Sequence, residues 1–434
     1  MKPINWRTLG LVAIVCLPAL VLVGLLAKYA VNVPFWDQWE LTTLFEKWHA
    51  GQLGFADFFA QHNEHRILFP RLIMFGLAIA TGWNTLYEVA TNVLLASLSF
   101  WFLWLILRRT FTTLRMKVVA AATISLVVFS PLQFENWMWG WQIQWFLNVL
   151  GLVVAVWALS TWRTTPQRKF TVAALAAAVA TYSLASGFFV WMVCLPLLWF
   201  AKDLRKLLWL WVVVAVAVVS SHYIGYIDPA YHPSKLIFLK EPLNFAMYFL
   251  VYVGRPLVID FLLSIPIFIA YATVYLGALA YTFKKHKEQL TTTLLPWLAL
   301  GLYGLCAAGS TSISRLGFGV EQAYSSRYST ISSLLLVAGI VLLCKIIEQE
   351  RGKVGLMVRR VTAGLLAGAI LLVGANYAKG VVQMQERNVH LTKVQTCAHT
   401  ATSGRDDCLL LLYPNKEVVW ERLQYLRSIH WGGL

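Results

Sequence analysis

Val33-Pro34-Phe35-Trp36-Asp37-Gln38-Trp39-Glu40 stands just beyond a run without a single charge, Leu9 to Ala27, and these two stretches together decide how the chain folds. A helix needs about 20 apolar residues to cross a hydrocarbon core about 30 Å thick, and the run supplies them. It follows Lys2 and Arg7 and has no clear small-x-small cleavage site, so it reads as a retained anchor rather than a removed leader. The aromatic and acidic octet then opens the first loop on the far side of the membrane.

The rest of the chain repeats that apolar pattern. Of 434 residues, 59% are hydrophobic and only 13% charged, against about 25% charged in ordinary soluble domains. So apolar a chain excludes intrinsic disorder. Further spans are expected at Leu86–Leu107, Val118–Phe134, Trp141–Trp162, Leu207–Ile227, Phe261–Phe283, Leu290–Ile313, Tyr328–Cys344 and Val361–Ala378. Phe170–Ala201 is charge-free for 32 residues, too long for one crossing, and reads as a hairpin of two short helices turning at Ser186-Gly187. The expected fold class is therefore an all-α integral membrane protein of about 11 transmembrane helices.

The net charge of +16 tests this topology. In a soluble protein it would point to nucleic acid. Residues 1–8, 108–117, 163–169, 202–206, 284–289 and 345–360 fall on one side and hold 20 Lys and Arg with four acids. The remaining chain holds 16 of each sign, so the whole excess lies on one face. That is the positive-inside bias of a multi-pass membrane protein, with the N-terminus expected inside and the C-terminus outside. Nucleic acid is not an expected partner; membrane lipids are.

On the outer side stand a large loop, 28–85, shorter loops at 131–140, 228–260 and 314–327, and a tail, 379–434, long enough for a small periplasmic domain appended to the membrane domain 1–378. Residues 67–81 are apolar but interrupted by Arg71, and crossing there would put Arg108-Arg109 outside, so they read as an amphipathic helix along the outer face. Cys397 and Cys408 in the tail are either a small disulfide loop or two free thiols. No CxxC or Cys/His pattern suggests zinc, and no glycine-rich nucleotide loop is present.

The first outer loop carries the densest chemistry. If Pro34 starts a helix, Asp37 and Glu40 lie three apart on one face, beside Trp36 and Trp39. A carboxylate against aromatic surface can serve as a base; the same residues equally suit a cap within an interfacial aromatic belt. Gln61-His62-Asn63-Glu64-His65-Arg66 closes the loop, with Arg71 following. These residue types suit hydrogen bonding to a sugar or phosphate better than metal, since HxEH is not the HExxH spacing. Glu135 to Gln142 forms a corner with Trp137, Trp139 and Trp141, suited to sugar rings and to interfacial packing alike. Arg327-Tyr328 enters a late span, where Arg327 is placed to meet a lipid phosphate, with Arg66, Arg71 and Arg255 on other outer loops.

A first span, a long outer loop opening on Asp37 in Trp-Asp-Gln-Trp, amphipathic helices and a late Arg327-Tyr328 resemble the GT-C glycosyltransferases. His65-Arg66-Ile67-Leu68-Phe69-Pro70-Arg71 and Thr81-Gly82-Trp83-Asn84 are similar to the stretch where such enzymes often carry His-Pro-Pro-Leu and a following Phe-Gly. The His-Pro-Pro-Leu itself and an adjacent acid pair are missing. The resemblance implies sugar transfer, hexosyl or pentosyl, from a polyprenyl-phosphate carrier to an outer-face glycan or lipid-linked acceptor such as O-antigen in lipopolysaccharide. It makes Asp37 the general base, Glu40 or Glu64 a second acid, and Arg327 with Arg66 or Arg71 the phosphate clamp. His62, His65, Trp137, Gln142, Arg255 and Tyr328 complete the expected substrate contacts, with no cofactor and no metal assigned. A polysaccharide polymerase or a lipid-linked glycan flippase are the alternatives; few mid-span acids and no visible repeat rank transport lower.

Overall fold

The computed structural model describes residues 6–229, 232–258 and 260–433. They form helices joined by short turns and one two-stranded antiparallel pair, Gln61–His62 against His65–Arg66. Among the described residues, eight helices are long and apolar enough to cross a membrane, where about eleven crossings were expected. The two arms of one hairpin and the helix Leu295–Arg315 account for the difference. The charge-free run 170–201 forms the expected hairpin, Pro166–Thr181 turning at Ala185–Gly187 into Phe188–Val193 and Leu195–Phe200, and neither arm is a full span. Leu295–Arg315 has the length, but its last turns carry Ser310, Thr311, Ser312 and Ser314. The segment expected to lie on the outer face is a helix, Leu68–Thr81, whose 14 residues reach about 21 Å, short of a crossing.

Burial sorts the helices into a centre and a rim. Within the Ser326–Gln349 span 94% of residues are buried, against 11–17% in Leu9–Tyr29, Arg205–His222, Leu263–Leu290 and Gly352–Thr400. A helix apolar all round belongs inside or against lipid, and only packing decides which. Close approach uses small residues. A Cβ on Gly151 would lie 2.6 Å from the Ala176 carbonyl, and one on Gly187 would lie 2.1 Å from that of Ala180, so both positions require glycine.

Gly352–Thr400 is one unbroken helix of 49 residues, about 74 Å long, so it runs through the boundary expected near 378 and rises well beyond a bilayer core. Its end is closed by Arg427, which donates to the Ala398 and Ala401 carbonyls. Cys397 and Cys408 are disulfide-bonded. The tail then folds back over the first loop: Leu412 accepts a hydrogen bond from the Trp36 N–H, Tyr425 meets His49, and Trp431 packs edge-on against Phe45. Cross-linking so short a loop contributes roughly 2–3 kcal/mol, mainly by constraining the unfolded chain. Cys397→Ser or reduction is therefore expected to lower the melting temperature of the detergent-solubilised protein by several degrees. A melting curve indifferent to reductant would refute this.

Candidate active site

The octet after the first span builds one wall of the site. Phe35 is extended and Trp36 takes φ 49°, a left-handed conformation that a bulky residue adopts only when held, here by the Leu412 carbonyl at 2.8 Å. Trp36–Leu41 follows as a 3₁₀ helix, not the α-helix expected from Pro34. Three residues per turn eclipse positions three apart, so Asp37 and Glu40 point the same way more closely than an α-helix would allow. Gln38 points the other way. Its Oε1 accepts from the Phe35 N–H, and its Nε2 donates to Glu88 Oε2 at 2.5 Å. Glu88 is fully buried and also accepts from Trp83 Nε1 at 2.9 Å. The carboxylate fits because Gly140 has no side chain: a Cβ there would lie 2.0 Å from Glu88 Oε2.

Gln61 to Arg66 is a tight hairpin turned by Asn63 at φ 50°, a conformation asparagine tolerates. The hairpin sets His62 against the acid pair. Its Nδ1 lies 2.9 Å from Glu40 Oε2, its Nε2 lies 3.7 Å from Asp37 Oδ2, and its ring meets Trp141 edge-on. Burial pushes the His62 imidazole down, but the Asp37 and Glu40 carboxylates beside it prevail and raise it to about 9. His62 is thus an imidazolium at neutral pH. Because its folded-state pKa lies above the ordinary 6.5, the stabilisation it contributes is complete below about 6.5 and is lost as pH rises through about 9. The melting temperature is therefore expected to fall between pH 7 and pH 9.5, and His62→Gln to flatten that fall. Equal pH slopes in the two proteins would contradict the assignment.

The other half of the hairpin faces a different charge. Glu64 pairs with Arg315 and lies 3.4 Å from His65 Nε2. Burial would raise the Glu64 carboxyl, but His65 and the Arg315 guanidinium outweigh it and hold it at about 2. Burial pushes the His65 imidazole down to about 4, which leaves Arg315 as the neighbouring cation at neutral pH. Glu64 is therefore a fixed anion and a poor base, whereas Asp37 is 30% exposed towards open space.

That space is a cavity of about 370 Å³. Asp37, His62, Glu64 and His65 line one side, Trp139, Trp141 and Gln142 a second, and Arg315, Arg327 and Tyr328 a third. Glu135 anchors the third side, accepting from the Ser325 and Ser326 hydroxyls at 2.8 Å and from the Arg327 N–H. Asn136 donates to the Arg327 carbonyl. The loop at 184–189 closes the cavity with Ser186, Phe188 and Phe189. Its Ser-Gly signal read only as a turn, and nothing in its spacing marked it as a cavity wall.

Seven expected residues thus share one cavity with Asp37: His62, Glu64, His65, Gln142, Arg327 and Tyr328 line it directly, and Glu40 joins through His62. Four others are engaged elsewhere. Arg66 donates to the carbonyls of Phe59, His222 and Ile224, and Arg71 to those of Phe58 and Ala60. Arg255 donates to the Tyr324 carbonyl beneath that residue's ring, and Trp137 is fully buried, donating to the Ser130 carbonyl. None of the four lines the cavity. Arg315, in the outer loop 314–327, stands in the cavity in their place as the second cation.

The oxygen and nitrogen atoms of Asp37, Glu40 and His62 lie within 4.8 Å of one another and could hold a divalent cation once His62 gave up its proton. At neutral pH the imidazolium already supplies a positive charge between the two carboxylates.

No family model matches the chain, and no curated protein matches it. Its structure is similar to the crystal structure of ArnT from Cupriavidus metallidurans bound to undecaprenyl phosphate, over 98% of this chain and 88% of that one, with a TM-score of 0.50 and 12% sequence identity. The chain therefore has the GT-C fold.

Proposed function

We propose that the chain is an integral membrane glycosyltransferase that moves a sugar from a polyprenyl-phosphate carrier to an acceptor on the outer face of a bacterial inner membrane. The carrying observation is the shared cavity: a half-open carboxylate, Asp37, and two arginines, Arg315 and Arg327, on separate elements around one space. The neighbour's bound undecaprenyl phosphate supports a lipid phosphate as the donor's leaving group.

In this reading the acceptor hydroxyl approaches Asp37, which takes its proton as the oxygen attacks the anomeric carbon. The bond from that carbon to the phosphate oxygen breaks, and the polyprenyl phosphate leaves with the bonding pair. Arg327 neutralises the charge that develops on it, a role suited to a guanidinium held in a water-poor pocket. Glu64 keeps Arg315 aimed at the same space. Trp139 and Trp141 back the cavity wall and are almost fully buried, Trp141 edge-on against His62. Counting the two short hairpin arms and Leu295–Arg315 with the eight full-length spans gives eleven crossings, with the N-terminus inside and the tail outside. The Cys397–Cys408 disulfide supports an oxidising compartment for the tail.

The test is reconstitution into proteoliposomes with a polyprenyl-phosphate sugar and cell-envelope glycans or lipid-linked oligosaccharides, O-antigen among them. Sugar transfer without movement of the donor across the bilayer is expected. Translocation without transfer would favour the flippase instead.

A further inference from the structure

Three helices that meet the candidate active site at one end meet a second cavity at the other. Leu86–Thr110 begins two residues before Glu88 and ends at Arg109 and Thr110; Ile143–Ser160 begins beside Gln142; Leu295–Arg315 ends at the arginine of the site. A helix of 18–25 residues is about 27–38 Å long, so the second cavity lies a full membrane span from the first. Its volume is about 310 Å³.

Its lining combines Arg109 and the hydroxyl residues Ser160, Thr161, Thr291, Thr292 and Thr293 with the apolar Leu197, Phe200, Leu295 and Pro296, and no acid is among them. Arg109 makes no ion pair or hydrogen bond among the described residues. Thr293 Oγ1 is buried without a partner. The Leu295–Arg315 helix starts there without a side-chain cap; Pro296 has no N–H and those of Trp297 and Leu298 bond the Leu294 carbonyl, which leaves the Leu295 N–H at the positive end for a ligand. Of the helix C-terminal ends that also reach the cavity, that of Leu86–Thr110 is neutralised: Lys345 Nζ donates to the Thr110 carbonyl at 2.9 Å. Segments 108–117, 163–169, 202–206 and 284–289 surround the cavity with thirteen Lys and Arg and two acids. Phe200, 48% exposed, forms its apolar rim.

We propose that this cavity is a binding site for the phosphodiester headgroup of an anionic membrane phospholipid. Arg109 and the uncapped helix start take the phosphate, and Leu197, Phe200 and Leu295 take the glycerol and upper acyl chain. The apolar rim favours a lipid over a free phosphate ion, and the absence of a lining acid leaves an ammonium headgroup without a partner. The site does not depend on the reaction assigned to the outer cavity.

Native mass spectrometry of the full chain in detergent tests this, titrated with phosphatidylglycerol, with phosphatidylcholine, and with inorganic phosphate as competitor. Phosphatidylglycerol is expected to be retained at least tenfold better than phosphatidylcholine. Arg109→Gln is expected to cut that retention at least tenfold, while Arg108→Gln, next in sequence but outside the lining, keeps it. Both arginines are exposed, so neither change threatens folding. Retention unaffected by Arg109→Gln, or equal for both lipids, would overturn the proposal. Displacement of phosphatidylglycerol by millimolar phosphate would overturn the lipid assignment and leave a simple anion site.

Discussion

Asp37→Asn is expected to lower sugar transfer by about two to four orders of magnitude while leaving the melting temperature within a degree or two. That range is what a positioned general base contributes. The amide keeps the shape of the carboxylate and can still meet His62, so the fold around it persists; what disappears is the group able to accept the acceptor's proton. The effect belongs in kcat rather than in KM, because the lost interaction forms only as the hydroxyl attacks. Glu64→Gln makes the contrast. It frees Arg315 from its ion pair and should impair donor binding through KM before it impairs turnover. Full transfer by the Asp37→Asn protein, correctly folded in the membrane, would remove Asp37 from the reaction.

Glu88→Ala is expected to act in the opposite way, destabilising the protein first and costing activity as a consequence. Glu88 accepts from Gln38 and Trp83 in a site from which water is excluded. Removing the acceptor leaves two buried donors without partners, at about 1–3 kcal/mol each. Gln38 also braces the Phe35 N–H at the entry to the 3₁₀ turn, so its release loosens Asp37 and Glu40 together. Gly140→Ala should produce a similar loss from the other side, because its methyl would occupy the place of the Glu88 carboxylate. Thermal unfolding in detergent, followed by transfer assayed at a temperature where the variants remain folded, separates the two effects. A Glu88→Ala protein that melts like the wild type would show that Gln38 and Trp83 have other partners.

That the chain is an all-helical, multi-pass membrane protein was legible before any coordinates because hydrophobic run length is a one-dimensional quantity. The hairpin at 170–201 and the helix at Leu68–Thr81 were read from run length and one interrupting arginine. The site was legible only in part. His62 and Glu64 stood out as a dense polar group, and Asp37 and Glu40 by their spacing. Which arginines reach the cavity was not readable. Arg66, Arg71 and Arg255 carry the same side chain as Arg327, yet each found backbone carbonyls to donate to.

By itself, then, the sequence determined that the chain crosses a membrane several times and that its densest acids stand in the segment after the first span. Those properties follow from transfer free energies that each residue carries wherever it stands. Tertiary structure alone decided that His62 sits between Asp37 and Glu40, that Glu64 is bound to Arg315, and that Arg327 shares their cavity. Such contacts join residues up to 251 positions apart. Hydrogen bonds and ion pairs act over a few ångströms, so their partners are set by how the helices pack and not by any pattern along the chain.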